Sequence, residues 1–498
     1  MPQSDLEVSR VNGYLIFLFV LLSTATLFDG FDAAMLTVAA PDARETLHIS
    51  LSEWGVVFGL ARLGVVASFF FLLFADRWGR RFLMLATIVG FAVFNSLTAF
   101  ATDKVQFTAY QFFARLFLQA EYSLAIIVIG EEFPARLRGR AIAILTSFST
   151  LGVMLVAAMH SYVLLAQCAT GSVAAGDCVP PPGNWLHDGG QLVIAWCQRL
   201  LGQPVDGANW RILYIIGLLP LALVFFLRFG MRETRRFTAE QSLNERAGLS
   251  AREIVRAEYA HAKLPWLPEY RRRTLLVGLL WNCVNLVIAP AVAFWVIYAR
   301  EELGFTPSTV GAIIFWGYAG GVLGHVVAGY LIDRLGRKWT CSAFYIFAAC
   351  AIFMLFQARS EAGQYLWMVL TVFGFTLANT ATHVYASELF PTAIRATGYG
   401  WTTNLFGRVT EVGTSFLVAA FVNTLGISGS VAIVSVGPIL GALLVLRYAP
   451  ETKGLTLEEV QQVVGGEAAF PGQAAASVAQ SAGDADLSKD PHPRSLSR

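Results

Sequence analysis

Seven ionisable residues stand inside otherwise apolar stretches: Asp29, Asp32, Arg62, Arg115, Glu121, Arg408 and Glu411. A charge at membrane depth is costly unless it is paired or hydrated, so each is a candidate for function. Asp29 and Asp32 are three residues apart and share one helix face. Two carboxylates so close in a poorly hydrated site resist double ionisation, which suits one of them to carrying a proton. Asp32 is expected to be the wetter of the two, nearer the outer headgroups. Arg115 and Glu121 are six apart and do not face each other on a helix, so each needs a partner elsewhere. Arg115 has the planar fork that grips a carboxylate bidentately; the structural alternative is a static pair with Asp29 or Glu121. Arg408 and Glu411, three apart, can neutralise one another. Arg62 is expected to serve packing or an internal ion pair. With four acids and three bases, one bound proton leaves the set neutral, which fits proton-coupled chemistry.

Polar groups elsewhere in apolar stretches extend the list. Trp281, Asn282 and Asn285, with Asn379, Thr380 and His383, are placed to line a central cavity, or else to bond helix to helix. His160 and His325 are expected to be structural. No nucleophile–base set, phosphate loop or metal cluster appears, so no cofactor and no enzymatic activity are expected.

Elements that position such residues must cross a bilayer. Hydrophobic residues make up 56% of the 498 and charged ones 14%, against roughly 25% charged in a typical soluble domain. Mean hydropathy is +0.57. A soluble fold could not cover so much apolar surface. The net charge of +2 gives no electrostatic support for nucleic-acid binding. Apolar stretches of helical length recur near 13–38, 53–75, 82–101, 106–130, 140–166, 211–228, 274–297, 309–332, 339–357, 364–387, 397–420 and 427–447. The loops on one side hold 21 Lys and Arg and those on the other hold 6, which predicts cytoplasmic termini. The predicted organisation is a six-helix half over 1–228, a cytoplasmic linker over 229–272, a second half over 273–450 and a mostly disordered cytoplasmic tail over 451–498. In the outer loop 164–210, Cys168 and Cys178 are candidates for a disulfide, with Cys197 a competitor, and Gln191 to Leu201 reads as a short amphipathic helix.

The two halves carry a repeat. Asp76-Arg77-Trp78-Gly79-Arg80-Arg81 recurs 257 residues on as Asp333-Arg334-Leu335-Gly336-Arg337-Lys338. Glu131 and Arg138 recur as Glu388 and Arg395 at the same interval. Parallel repeats with cytoplasmic motif loops are related by an axis along the membrane normal. Acids at the ends of helices there meet arginines at the starts of the next. Asp76, Arg80, Glu131, Arg138, Asp333, Arg337, Glu388 and Arg395 are accordingly read as a gate that clasps and releases; the plainer reading is surface ion pairs of at most about 1 kcal/mol. None of the seven intramembrane charges is copied at that interval, so they are specialisations of one half or the other.

The D-R-x-G-R-[RK] loops resemble the signature of the Major Facilitator Superfamily. E-x6-R after the fourth and tenth helices, and Pro450-Glu451-Thr452-Lys453-Gly454, are similar to its sugar-porter-like branch. The resemblance implies an all-α membrane fold of twelve transmembrane helices in two pseudo-symmetric six-helix bundles, with the first, fourth, seventh and tenth helices lining a central site. Asp29-Gly30-Phe31-Asp32 resembles the D-G-[FY]-D motif of aromatic-acid:proton symporters, in which both acids serve transport. Arg115 to Gly139 and Phe406-Gly407-Arg408-Val409 are similar to the fourth and eleventh helices of organic-acid symporters.

The function expected is proton-coupled symport of a small organic acid by alternating access. Asp29, Asp32 and Glu121 couple the proton; Arg115, Asn282, Asn285, Asn379, His383 and Arg408 hold the solute. The alternative is a sugar porter or facilitator. Against it, Leu279 to Asn285 lacks the Gln pair of the Q-Q-x-x-G-x-N motif typical of sugar porters, and intramembrane Arg suits an anion. A remote alternative is a transporter-like nutrient sensor. The expected partners are the solute, the proton and the lipid bilayer of the plasma (inner) membrane, with no nucleic acid and the monomer as working unit.

Overall fold

The computed structural model describes residues 12–72, 78–133, 135–168, 210–217, 259–260, 262–391 and 394–453, with positions 225, 228, 230–234 and 238. Expectations for Asp76, Cys178, Cys197, the 191–201 helix and the tail beyond Lys453 lie outside the described residues. So do the side chains of Glu131, Arg138, His160, Cys168, Asp333 and Arg395.

Every regular element among the described residues is helical. They are α1 (Gly13–Val38), α2 (Ala40–Thr46), α3 (Leu51–Leu72), α4 (Arg80–Ala99), α5 (Lys104–Glu132), α6 (Ala135–Cys168) and α7 (Trp210–Ile216). There follow α8 (Pro268–Ile297), α9 (Pro307–Leu335), α10 (Lys338–Gln357), α11 (Glu361–Glu388), α12 (Arg395–Tyr399), α13 (Gly407–Val434) and α14 (Val436–Tyr448). A π-helical segment, Gly400–Phe406, joins α12 to α13. Among the described residues, eight helical stretches are long and apolar enough to cross a membrane.

Polar residues fix where the helices begin. Asn12 accepts from the Leu15 N–H at 2.9 Å, and Asp103 accepts from Val105 and Gln106 at 2.8 and 2.9 Å. Thr306 and Ser360 cap α9 and α11 in the same way. Each cap supplies an acceptor to N–H groups that the helix leaves without partners. Large apolar side chains such as Val105, Leu323 and Val326 remain outward, as expected where the solvent is hydrocarbon.

The repeat is visible in the packing. The α1–α6 contact of the first half recurs as α8–α13 in the second, α3–α5 as α9–α11, and α4–α5 as α10–α11. The halves meet through α3 against α13 and α6 against α9, which the same symmetry relates. At the end away from the repeated loops, Arg44 and Glu301 form an ion pair between halves, and Arg300 lies 3.9 Å from Asp42.

Two local features set the site's precision. Helices α1 and α6 approach so closely that a Cβ at Gly30 would sit 1.8 Å from the Ser149 carbonyl oxygen, and one at Gly152 would sit 1.9 Å from that of Leu27. The glycine between Asp29 and Phe31 therefore serves helix contact. In the repeated loops, Gly79 and Gly336 have φ of 86° and 101°, a region that side chains disfavour. That turn aims the next N–H groups at a carboxylate: Arg80 and Arg81 donate to Glu233 at 2.9 and 3.1 Å, while Arg337 and Lys338 donate to Glu451 at 2.8 and 3.0 Å.

Candidate functional site

The central charges come from both halves. On α1, Asp32 is 1% exposed. Arg115 of α5 lies 3.3 Å from its carboxylate and donates to its backbone carbonyl at 2.9 Å. This corrects the expectation that Asp32 is the wet member of its pair: Arg115 compensates it in the interior. Asp29 is the half-buried one. It accepts from Ser149 Oγ of α6 at 3.4 Å and lies within electrostatic reach of Arg115, Arg408 and Asp32. Asp29 is thus the carboxylate of the pair with no arginine bonded to it among the described residues.

In the second half, Glu411 of α13 receives two guanidinium groups. Arg408 Nη1 donates at 2.7 Å to one oxygen, and Arg62 Nη1 of α3 donates to the other. The spacing of Arg408 and Glu411 foretold the first bond; the second crosses from one half to the other. Arg62 also lies under the ring of Phe58, 4.6 Å from its centroid.

Aromatic groups surround this cluster. His383 Nδ1 and Tyr399 Oη are 2.6 Å apart, and the His383 ring meets Trp281 edge-on at 4.7 Å. Trp281 Nε1–H is buried with no hydrogen-bond partner among the described residues. Tyr122 of α5 lies within electrostatic reach of Asp29 and Arg408. Trp281, His383 and Tyr399 thus form one contiguous group of rings.

Other expected site residues are placed elsewhere. Glu121, grouped by sequence with the proton-coupling acids, is separated from them. It is buried against Arg228, whose Nη1 donates at 2.7 Å, and against Thr87 Oγ1 at 2.6 Å. Both hydrogen bonds tie Glu121 to its neighbours within the first half. Asn285 Nδ2 donates to the Gly407 carbonyl at 3.0 Å, and Asn282 accepts from Thr410. Both bonds tie α8 to α13. Asn379 is half-buried. His325 Nδ1 and Thr380 Oγ1 are 3.1 Å apart, joining α9 to α11.

At the end of the bundle that carries the repeated loops, Arg337 Nη2 donates to Glu388 at 3.0 Å, and Thr452 Oγ1 donates to the same carboxylate. Sequence reasoning missed Arg228, Glu233 and Thr234. The signal was present: Glu233-Thr234-Arg235 matches Glu451-Thr452-Lys453, but at an interval of 218 instead of 257.

Comparison with known proteins settles the lineage. Residues 22–174 and 189–414 match the Major Facilitator Superfamily. The chain belongs to that superfamily. It is a multi-pass membrane transporter and not an enzyme. Among curated relatives, the putative niacin/nicotinamide transporter NiaP of Bacillus subtilis (strain 168) is 24% identical, with 87% of this chain and 95% of that protein covered. The 4-hydroxybenzoate transporter PcaK of Pseudomonas aeruginosa is 26% identical over 82% of this chain and 87% of its own. The cis,cis-muconate transport protein of Acinetobacter baylyi is 23% identical over 82% and 87%. Among solved structures, the inward-open xylose transporter XylE from E. coli superposes with a TM-score of 0.65 at 18% identity, covering 89% of this superfamily member and 98% of XylE.

Proposed function

We propose that this transporter carries a small organic acid together with a proton, by alternating access between its two halves. The observation that supports it most is the division of labour among central charges. Arg115 and Glu411 each have a charged partner, whereas Asp29 stands half-buried and, among the described residues, is bonded by Ser149 alone, within electrostatic reach of Arg408. Asp29 is the proton carrier in this reading, Asp32 its fixed neighbour, and Arg408 with the Trp281–His383–Tyr399 rings receives the solute. The relatives named for niacin, 4-hydroxybenzoate and cis,cis-muconate support a carboxylate on a small, flat skeleton. Residues 1–228 and 273–450 act as the moving halves around the 229–272 linker. The protein works as a monomer in the plasma (inner) membrane with both termini cytoplasmic, independent of nucleic acid.

The test is uptake into proteoliposomes with pH and voltage gradients imposed separately, using nicotinate, 4-hydroxybenzoate, cis,cis-muconate, xylose and arabinose. Carboxylate uptake driven by the pH gradient supports the proposal. Uptake insensitive to pH removes proton coupling, and uptake of pentoses alone transfers the protein to the sugar porters.

A further inference from the structure

The Glu411 cluster holds two cations and one anion. Arg62 and Arg408 bond one carboxylate oxygen each, with side chains 24% and 29% exposed against 6% for Glu411. A guanidinium has five donors, so both retain N–H groups that Glu411 does not use. Arg62 faces Arg115 and Arg408 as well as Glu411, with Tyr318 of α9 also in reach. Arg408 faces Asp29 and Tyr122, with Tyr399 and His383 nearby. Asp29 itself faces Asp32 on its own helix, Arg115 and Tyr122 on α5, Ser149 on α6 and Arg408 on α13.

Charge counting then gives an order of events. Arg62, Arg115 and Arg408 are balanced by Asp29, Asp32 and Glu411 when all six are ionised. Protonating Asp29 leaves one positive charge uncompensated. An anion entering the neutral set creates a net negative charge at membrane depth, while one entering the protonated set restores neutrality; the second is far cheaper.

Resting on the symport reading above, we propose that Arg62 and Arg408 form a two-sided anion site, one wall from each half, that takes the carboxylate of a singly charged acid beside Glu411 once Asp29 holds a proton. Arg62 is thereby a substrate-binding residue as well as a structural one. The carboxylate bridges α3 and α13, so the solute itself joins the two halves at their interface. No covalent bond changes; the proton stays on Asp29 while the anion is bound.

The experiment measures equilibrium binding to purified wild-type protein and variants in lipid nanodiscs. Its probes are nicotinate, benzoate and cis,cis-muconate, with nicotinamide and benzamide as uncharged controls. In the wild type, acid binding strengthens as pH falls, while amide binding does not change. Arg62→Gln is expected to weaken binding of the monoacids by about tenfold or more and to spare the amides; Arg62→Lys retains part of the affinity. Asp29→Asn is expected to bind the acids without pH dependence. A purely structural Arg62 would lower thermal stability and affect acids and amides alike. Equal acid binding by wild type and Arg62→Gln overturns the proposal and leaves symport intact, as does a wild-type preference for the dianion. Should the wild type bind none of the acids, the symport reading itself falls.

Discussion

Arg44 and Glu301 are ion-paired, and they are separated by 257 residues, the interval of the repeat itself. Each therefore occupies the other's place in the opposite half, and their bond lies on the pseudo-two-fold axis. With Arg300 near Asp42, it holds together the ends of the halves that the proposed orientation places outside. At the opposite end, Arg337 and Glu388 pair within the second half, while Glu233 and Glu451 tie each repeated loop to the segment that follows its own half. Glu301→Arg is expected to shift the population toward the outward-open state, and Arg44→Glu combined with Glu301→Arg to restore it. The pair is partly exposed, at 11% and 45%, so the shift should be about 1 kcal/mol or less. Labelling of a cysteine placed on the outer part of the cavity measures it. Failure of the double swap to restore wild-type labelling would sink the latch.

The second expectation concerns Asp29. Asn keeps its shape and its bond to Ser149 but cannot cycle a proton. Asp29→Asn should abolish pH-driven accumulation while leaving exchange of internal for external solute. Concentrative uptake by this variant would remove Asp29 from the coupling step.

Glu121 should behave differently. Glu121→Gln leaves Arg228 buried without its counter-charge, and breaking such a pair costs about 3–5 kcal/mol. The expected outcome is a clear fall in thermal stability, with the pH dependence of uptake unchanged in the protein that folds. A changed pH profile would return Glu121 to the proton path.

The Glu451 anchor carries a pH prediction. Burial pushes its pKa up, but N–H groups of Arg337, Lys338, Lys453 and Thr452 outweigh that and hold it below the ordinary glutamate value. A depressed value means that the stabilisation is complete above the unfolded pKa and disappears as pH falls through the folded one. Exchange of the Arg337 and Lys338 amides should therefore stay slow from neutral pH down through the normal carboxylate range, and then accelerate. Glu451→Gln should give fast exchange already at neutral pH. Equal protection in the two proteins would discount the anchor.

The fold was legible in the sequence because length, apolarity and a repeated motif each report on it independently. Pairs on one helix were legible too, since Arg408 and Glu411 are three residues apart. Pairs between helices were not. Nothing in the spacing joins Arg62 to Glu411, 349 residues away; only the packing of α3 against α13 does. Arg228 looked like one of many cytoplasmic-side cations until folding buried it on Glu121. Glu233 escaped because the long outer segment 164–210 has no counterpart of similar length in the second half, so the interval of the repeat changes beyond it. Asp32 was misplaced for a related reason: sequence depth along α1 says nothing of the guanidinium arriving from α5.

The contact of Gly30 with Ser149 and of Gly152 with Leu27 has a use for anyone who wishes to watch this protein move. Backbones that touch at carbonyl oxygen have no room to slide, so α1 and α6 travel as a single strut. Spin or fluorescent labels placed one on each should report a constant separation through the whole transport cycle. That constant length is a built-in yardstick: displacements of Arg408 and Glu411 can be read against a frame fixed to Asp29, with the tumbling of the molecule subtracted.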